Sequence, residues 1–513
     1  MTTLSRHALL FVLCTSVGVV GCSPSTLYVQ QPVEDPSRPV YTVEPRLSDA
    51  EHILMFDERG RHVHQTGEVT EEVYRNHLGR MMDSLRASGK RKIFIYVHGG
   101  LNPGDKAQAR AIKRIRAIEA NGYFPVFINW ESSWGSSYKD YLVSVRQGRR
   151  QSERYAEFMT EEELKDSITI PNLELLDDVG DIGGAPFYLG KDVARGFIRA
   201  PLTSANLANE ALFKYRSRFG ESGEGCRREA PLEGLQWRMG CDRRTTWDFL
   251  SSSFLRTVTV GTKLLSAFLI DAFGQGAWDN MLRRTRLLFH SHPFYASSYS
   301  PAPDCALTPN SPLHALDGGL SKFFCRLRTE LMQDGENWKD KWEIIFVGHS
   351  MGTIIMNETL RRFSDLPFKH LVFMAAACSI WDFESAVFPY LSRNNGAHAY
   401  QLMLHELAEL EEVNYGDIPI RGSLLVWIDE FLATPLTPLD RTAGRIDNWR
   451  PAWHHISNEL RERISFKEFD FGGPDVDRHP QRHGDFSEFP FWEEEFWFGD
   501  PNRVGPARWK EPE

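Results

Sequence analysis

The chain has no Cys-x-x-Cys pair, no excess of basic charge and no uninterrupted apolar run long enough to cross a bilayer. Each absence removes a class of protein. Without cysteines at metal or redox spacing there is neither a zinc ribbon nor a thioredoxin-like motif. Lysine and arginine number 59 against 69 acidic residues, a formal net charge of -10. That balance argues against a nucleic-acid binder, whose domain would carry a basic face, and disfavours a phosphate-rich substrate. A spanning helix needs about 20 consecutive apolar residues. The stretch "FLRTVTVGTKLLSAFLIDAFGQGAWDNML" is interrupted by Arg256, Lys263 and Asp271, which argues against a membrane span. What is present is ordinary for a globular protein: 42% hydrophobic and 25% charged residues in 513, enough for one large domain or two smaller ones.

The N-terminus reads as an address. Arg6 and His7 precede "ALLFVLCTSVGVV", which is too short to span and is followed closely by polar sequence. It ends in Val19-Val20-Gly21-Cys22, which resembles a bacterial lipobox. The resemblance implies that residues 1–21 are a lipoprotein signal peptide and that Cys22 is lipidated, with a plain secretory signal as the alternative. Ser23, where an aspartate would favour the inner membrane, implies an outer-membrane anchor in the cell envelope. Residues 22–45, rich in proline and polar side chains, read as a flexible tether. An oxidising compartment would allow two local disulfides, Cys226 with Cys241 and Cys305 with Cys325, while Cys378 in "LVFMAAACSI" reads as a small buried side chain.

Downstream, the hydrophobic rhythm predicts an α/β fold. "HILMFDERGRHVHQ" reads as a hairpin and "TEEVYRNHLGRMMDSLRAS" as a helix. "KIFIYV" and "YFPVFINW" are continuous apolar strands around the helix "DKAQARAIKRIRAIEA", a βαβ unit. The pattern resumes with a helix at about 321. Strands then follow at "EIIFV", "HLVFMAAA", "AHAYQLML" and "ISFKEFDF". The expected organisation is an N-terminal part over 46–130, a helical insertion or lid over 131–320 without strand rhythm, and a C-terminal part over 321–513. The insertion could form a cap over a site, or lie on lipid.

Within "IIFVGHSMGTIIM", Ser350 stands between Gly348 and Gly352. Gly-x-Ser-x-Gly arises by chance in roughly one in five chains of this length, so its setting has to decide. A buried strand ends just before it and a helix begins just after Gly352, the setting of a nucleophile elbow. A second motif, His98-Gly99-Gly100, follows the strand "IFIYV". Together these motifs resemble the α/β-hydrolase superfamily of serine esterases and lipases, over about 90–135 and 320–490. The resemblance implies Ser350 as nucleophile and an oxyanion hole of Gly99, Gly100 and the Met351 amide.

It also implies a histidine beyond the last strand, where the chain offers His479 and His483. His483, followed by Gly484 in a loop, is the choice. Asp475, Asp477, His479, His483 and Asp485 could suggest a metal, but Pro480 and Gly484 break any shared helical face, and no metal or organic cofactor is expected. The acid should lie between Ser350 and His483. Asp382 is chosen, with Glu406, Glu409 and Asp429 as alternatives, Asp429 lying in a presumptive helix. The implied activity is hydrolysis of a lipid or other hydrophobic carboxylic ester. Amide or thioester hydrolysis would use the same residues, and a non-catalytic envelope module with this fold is the alternative of a different class.

Overall fold

The computed structural model describes residues 47–64, 70–100, 104–146, 149–150, 185–209, 230–244, 260–290, 318–414, 420–473, 475–499 and 505–509. The expected signal peptide, Cys22 and the tether lie outside them, as do Cys226 and Cys305.

The elements follow from burial periodicity. Strands β1 (Ile53–Phe56), β2 (Lys92–Val97) and β3 (Tyr123–Trp130) surround helices α1 (Glu71–Ala87) and α2 (Gly104–Ala120). Helix α1 starts where the Thr70 side chain accepts the Val73 N–H, with Glu71 and Glu72 in its first turn. Helix α3 (Trp134–Val143), helix α4 (Ala185–Asn209), strand β4 (Gln236–Arg238) and helix α5 (Val260–Leu287) come next. The second half alternates α6 (Gly319–Met332), β5 (Glu343–His349), α7 (Gly352–Arg362), β6 (Phe368–Met374), α8 (Ile380–Arg393), β7 (His398–Met403), α9 (Glu406–Glu411) and β8 (Ile464–Glu468). In β2, β3 and β5 every residue after the first is buried, the signature of parallel strands covered on both faces.

These eight strands form one sheet in the order β1-β3-β2-β5-β6-β7-β8-β4, and every neighbouring pair in it is parallel. The result is an α/β fold. Val97 is in register with both Ile128 and Gly348, so β2, β3 and β5 end level. From β2 the chain moves to β3 on one side, whereas from β5 it moves to β6 on the other. The β2/β5 junction is therefore a topological switch point, where loops diverge and leave a crevice at the carboxyl edge.

Two expectations are corrected. The stretch from 52 to 65 is not simply a hairpin: β1 pairs in parallel with β3, and only the Phe56–His62 bridge turns back on it. The region 131–320 does contribute to the sheet, because β4 adds beside β8. Its other described elements include helices α3, α4 and α5 and a short antiparallel pair, Val145–Arg146 with Arg149–Arg150, and α5 is fixed to α3 by buried Arg284. Its guanidinium donates to Glu131 O at 3.2 Å, Ser136 Oγ at 2.9 Å and Asp140 Oδ2 at 2.6 Å. Among the described residues no helix is long and apolar enough to cross a membrane. Cys325 is disulfide-bonded, and Cys378 is buried, its thiol pushed up to about 12 by burial. The C-terminal aromatics Phe489, Phe491, Trp492, Phe496 and Trp497 are all buried.

Candidate active site

The turn after β5 is strained and interlocked. Ser350 has φ 51°, a left-handed conformation rare outside glycine. It is held by its N–H to Met374 O at 2.9 Å, and its carbonyl accepts from Thr353 Oγ1 at 2.6 Å and Ala377 N at 3.2 Å. The flanking glycines are required by space. A Cβ at Gly348 would lie 2.3 Å from Met356 Sδ, and one at Gly352 would lie 2.4 Å from Val97 O. The loop after β2 meets the same turn: a Cβ at Gly99 would sit 2.9 Å from Ser350 Cβ, and one at Gly100 2.6 Å from Met351 Sδ. The two motifs, 250 residues apart, are thus a single packed unit. The Met351 amide stands at the start of α7, where N–H groups lack intrahelical acceptors.

His483 is brought to this unit by a short 3-10 helix, His483–Glu488. Its Nε2 lies 2.9 Å from Ser350 Oγ. Burial, with a contribution from nearby His349, holds His483 well below its usual proton affinity. It is therefore neutral at neutral pH and can accept the serine proton. The two neighbouring histidines have other duties. His349 Nε2 donates to the His483 carbonyl at 2.9 Å. His98 Nδ1 donates to Gly99 O at 2.5 Å, and its Nε2 accepts the Trp130 N–H at 3.0 Å. These bonds fix the backbone on both sides of the serine.

The acid departs from expectation. Asp382 is not beside His483: it sits in the first turn of α8, where Oδ2 accepts from Asn357 Nδ2 at 2.7 Å and Oδ1 pairs with Arg361. Its N–H is capped by Ser379, so its position is set by helix initiation. The alternatives are also committed. Glu406 pairs with Arg445, whose other terminal nitrogen donates to Asp429 Oδ2 at 3.0 Å. Asp429 further accepts from Thr442 N and Asn448 Nδ2, each at 2.8 Å. Glu409 is buried, accepts from Ser423 Oγ, and is pushed well above its usual pKa by burial. His479 lies 4.0 Å from Asp470 and makes no recorded contact with Ser350. The acidic and histidine side chains of 475–485 do not converge on a metal-binding group among the described residues.

The carboxylate that does reach His483 is Glu412. Its Oε2 accepts the His483 backbone N–H at 2.9 Å, and it lines the same cavity as Ser350. The His483 Nδ1 itself is buried with no hydrogen-bond partner. Glu412 ends the acidic turn "ELAELEE" after β7. Glu412 lies in the same acidic run as the expected Glu406 and Glu409, three residues beyond the latter. Also absent from the sequence reading were Arg110, Arg114 and Asn129, which line the cavity. Compared with protein-family models, curated proteins and solved structures, the chain matches none.

Proposed function

We propose that the protein is a serine hydrolase of the α/β-hydrolase type that cleaves a carboxylic ester. The observation that carries this reading is the 2.9 Å contact between His483 Nε2 and the hydroxyl of Ser350, a serine held at φ 51° on a strand-to-helix turn. Ser350 Oγ attacks the ester carbonyl while His483 Nε2 takes its proton. The Gly100 and Met351 amides stabilise the oxyanion, with Gly99 allowing the close approach of the loop. Collapse expels the alcohol, protonated by His483, and leaves an acyl-enzyme. Water, deprotonated by the same nitrogen, then releases the acid. Phe127, Leu424 and Trp427 in the cavity wall suit an apolar portion of the substrate.

Glu412 is the carboxylate proposed to orient His483. It already holds the backbone of that residue, and it is proposed as the acceptor that Nδ1 needs once Nε2 is protonated. Because Nδ1 has no partner in the resting structure, a non-catalytic envelope module is the competing reading. Amides and thioesters remain chemically compatible with the same residues. Anchoring through a lipid at Cys22, in a bacterial outer membrane, is proposed on the lipobox-like sequence alone.

The test is labelling of the detergent-solubilised full chain with a fluorophosphonate, beside Ser350→Ala and His483→Ala. Labelling lost in both variants is expected. A folded protein that stays unlabelled would move the reading to the binding module.

A further inference from the structure

The cavity beside Ser350 has a volume of about 210 Å³, smaller than the roughly 300–1,000 Å³ of most ligand pockets. A short substrate fits it better than a long acyl chain. The room comes partly from α2, which contributes buried Ala107 and Ala111, four residues apart on one helix face. The sheet supplies the opposite kind of wall. Tyr96 of β2 is in register with Phe127 of β3, and Asn129 follows two residues later on the same strand. Alternate residues of a strand share a face, so Tyr96, Phe127 and Asn129 stand on one side of the sheet, and all three line the cavity.

Two of these three carry polar groups with no duty inside the chain. Asn129 is 2% exposed, and its Nδ2 is buried with no hydrogen-bond partner. The Tyr96 ring is held firmly, stacked on Phe491 at 4.6 Å and edge-on to Phe127 at 5.9 Å. Its hydroxyl nevertheless makes no hydrogen bond among the described residues, and burial, opposed by nearby Arg114 and Arg110, keeps it a neutral phenol. Buried polar groups left unsatisfied are costly, so both call for a partner from a ligand or water. Two charged lining residues are already engaged. Arg114 donates from both terminal nitrogens, to the carbonyls of Arg110 and Ser487, and Glu412 accepts the His483 N–H. The groups left waiting at this wall are thus uncharged.

We propose that Tyr96 and Asn129 form a subsite for a hydroxyl group, so that the substrate is a short ester bearing an uncharged hydroxyl. This rests on the hydrolase reading of Ser350. A hydroxyl accepts one hydrogen bond while donating another, and the phenol and the amide can each take either role. An apolar group of the same size would leave both unpaired, which is how a polar site rejects an apolar analogue. The ester carbonyl then meets Ser350 while Phe127 and the two alanines take the connecting carbons.

Binding can be read without turnover, by ligand-observed NMR titration of the full chain with Ser350→Ala in mild detergent. The probes are methyl 3-hydroxybutyrate, each enantiomer in turn, and methyl 3-methylbutyrate, in which a methyl group replaces the hydroxyl. The better-bound hydroxy ester is expected to bind about tenfold tighter than the methyl analogue, about threefold for each hydrogen bond. Adding Tyr96→Phe, which removes only the hydroxyl, should cut that ratio about threefold. Asn129→Leu, of similar volume, should do the same, and the two together should bring the ratio close to one. Equal binding of the two esters, binding of neither by folded protein (a cavity that holds water only), or a preference that survives both substitutions would overturn the subsite. Fluorophosphonate labelling of the unsubstituted chain reads the hydrolase separately. Labelled Ser350 without hydroxyl preference defeats only the subsite, and hydroxyl preference without labelling defeats only the hydrolase.

Discussion

At the scale of single residues, the proposed hydrolysis turns on which carboxylate serves His483. Asp382 is used up by Asn357 and Arg361, whereas Glu412 is bonded to His483 itself. Glu412→Gln keeps the shape and removes the charge that would stabilise an imidazolium. It is expected to lower kcat about 100-fold or more with little change in KM. Asp382→Asn should change kcat by less than about threefold, because that side chain touches no reacting group. Steady-state kinetics on a p-nitrophenyl ester check both, and the opposite ranking would return the role to Asp382. Ser350 and His483 were legible in the sequence because their signals are local: a turn between two glycines, and a histidine just beyond the last predicted strand. The acid was not. Glu406, Glu409 and Glu412 lie within two helical turns, and only the tertiary path of that segment decides which of them faces the histidine.

At the scale of elements, the site depends on close packing between the loop after β2 and the turn after β5. Gly352→Ala places a methyl group 2.4 Å from the Val97 carbonyl, backbone that cannot give way cheaply. A destabilisation of about 1–3 kcal/mol is expected, together with loss of fluorophosphonate labelling. Gly79→Ala, inside α1 with nothing within 4 Å, should instead stabilise by roughly 0.5–1 kcal/mol. Urea unfolding of the two variants measures the contrast, and equal midpoints would show that the interlock carries no strain. The long strands were readable because both faces are buried and their residues are continuously apolar. Strand β4 was not, since on this edge Gln236 is exposed and Trp237 and Arg238 are only partly buried, and they acquire their state only by pairing with β8. The same holds for β1, whose parallel partner lies 74 residues away and leaves no local trace.

At the scale of the whole molecule, the histidines set the acid limit. His62 and His483 are held well below the usual value, and His77, His98, His349 and His398 are lowered to about 4, in each case chiefly by burial. In the unfolded chain these groups take up protons near 6.5, whereas the folded chain resists doing so until about 4. Stability is therefore complete above 6.5 and is lost as the pH falls from there toward 4. Each fully buried histidine of this kind contributes on the order of 3 kcal/mol to the loss at the lower end. Glu409 and Asp382 work in the opposite direction, since burial raises both and their protonation in acid favours the folded state. His370 and His479 are lowered as well, and Asp192, Asp279 and Glu493 are raised, again chiefly by burial. Among the described residues eight histidines outweigh five carboxyls, so the thermal midpoint should drop between pH 6.5 and 4.5, and a flat profile would contradict the burial of these rings. Activity should follow a different curve. His483 must be neutral to accept the Ser350 proton, and its lowered pKa keeps it so well below 6.5. The acid limb of kcat/KM is then expected below pH 6.5, approaching the range where the fold itself gives way. A limb at 6.5 or above, in protein still folded by circular dichroism, would mean that His483 is open to water in the proposed reaction and that its buried arrangement is not the reactive one.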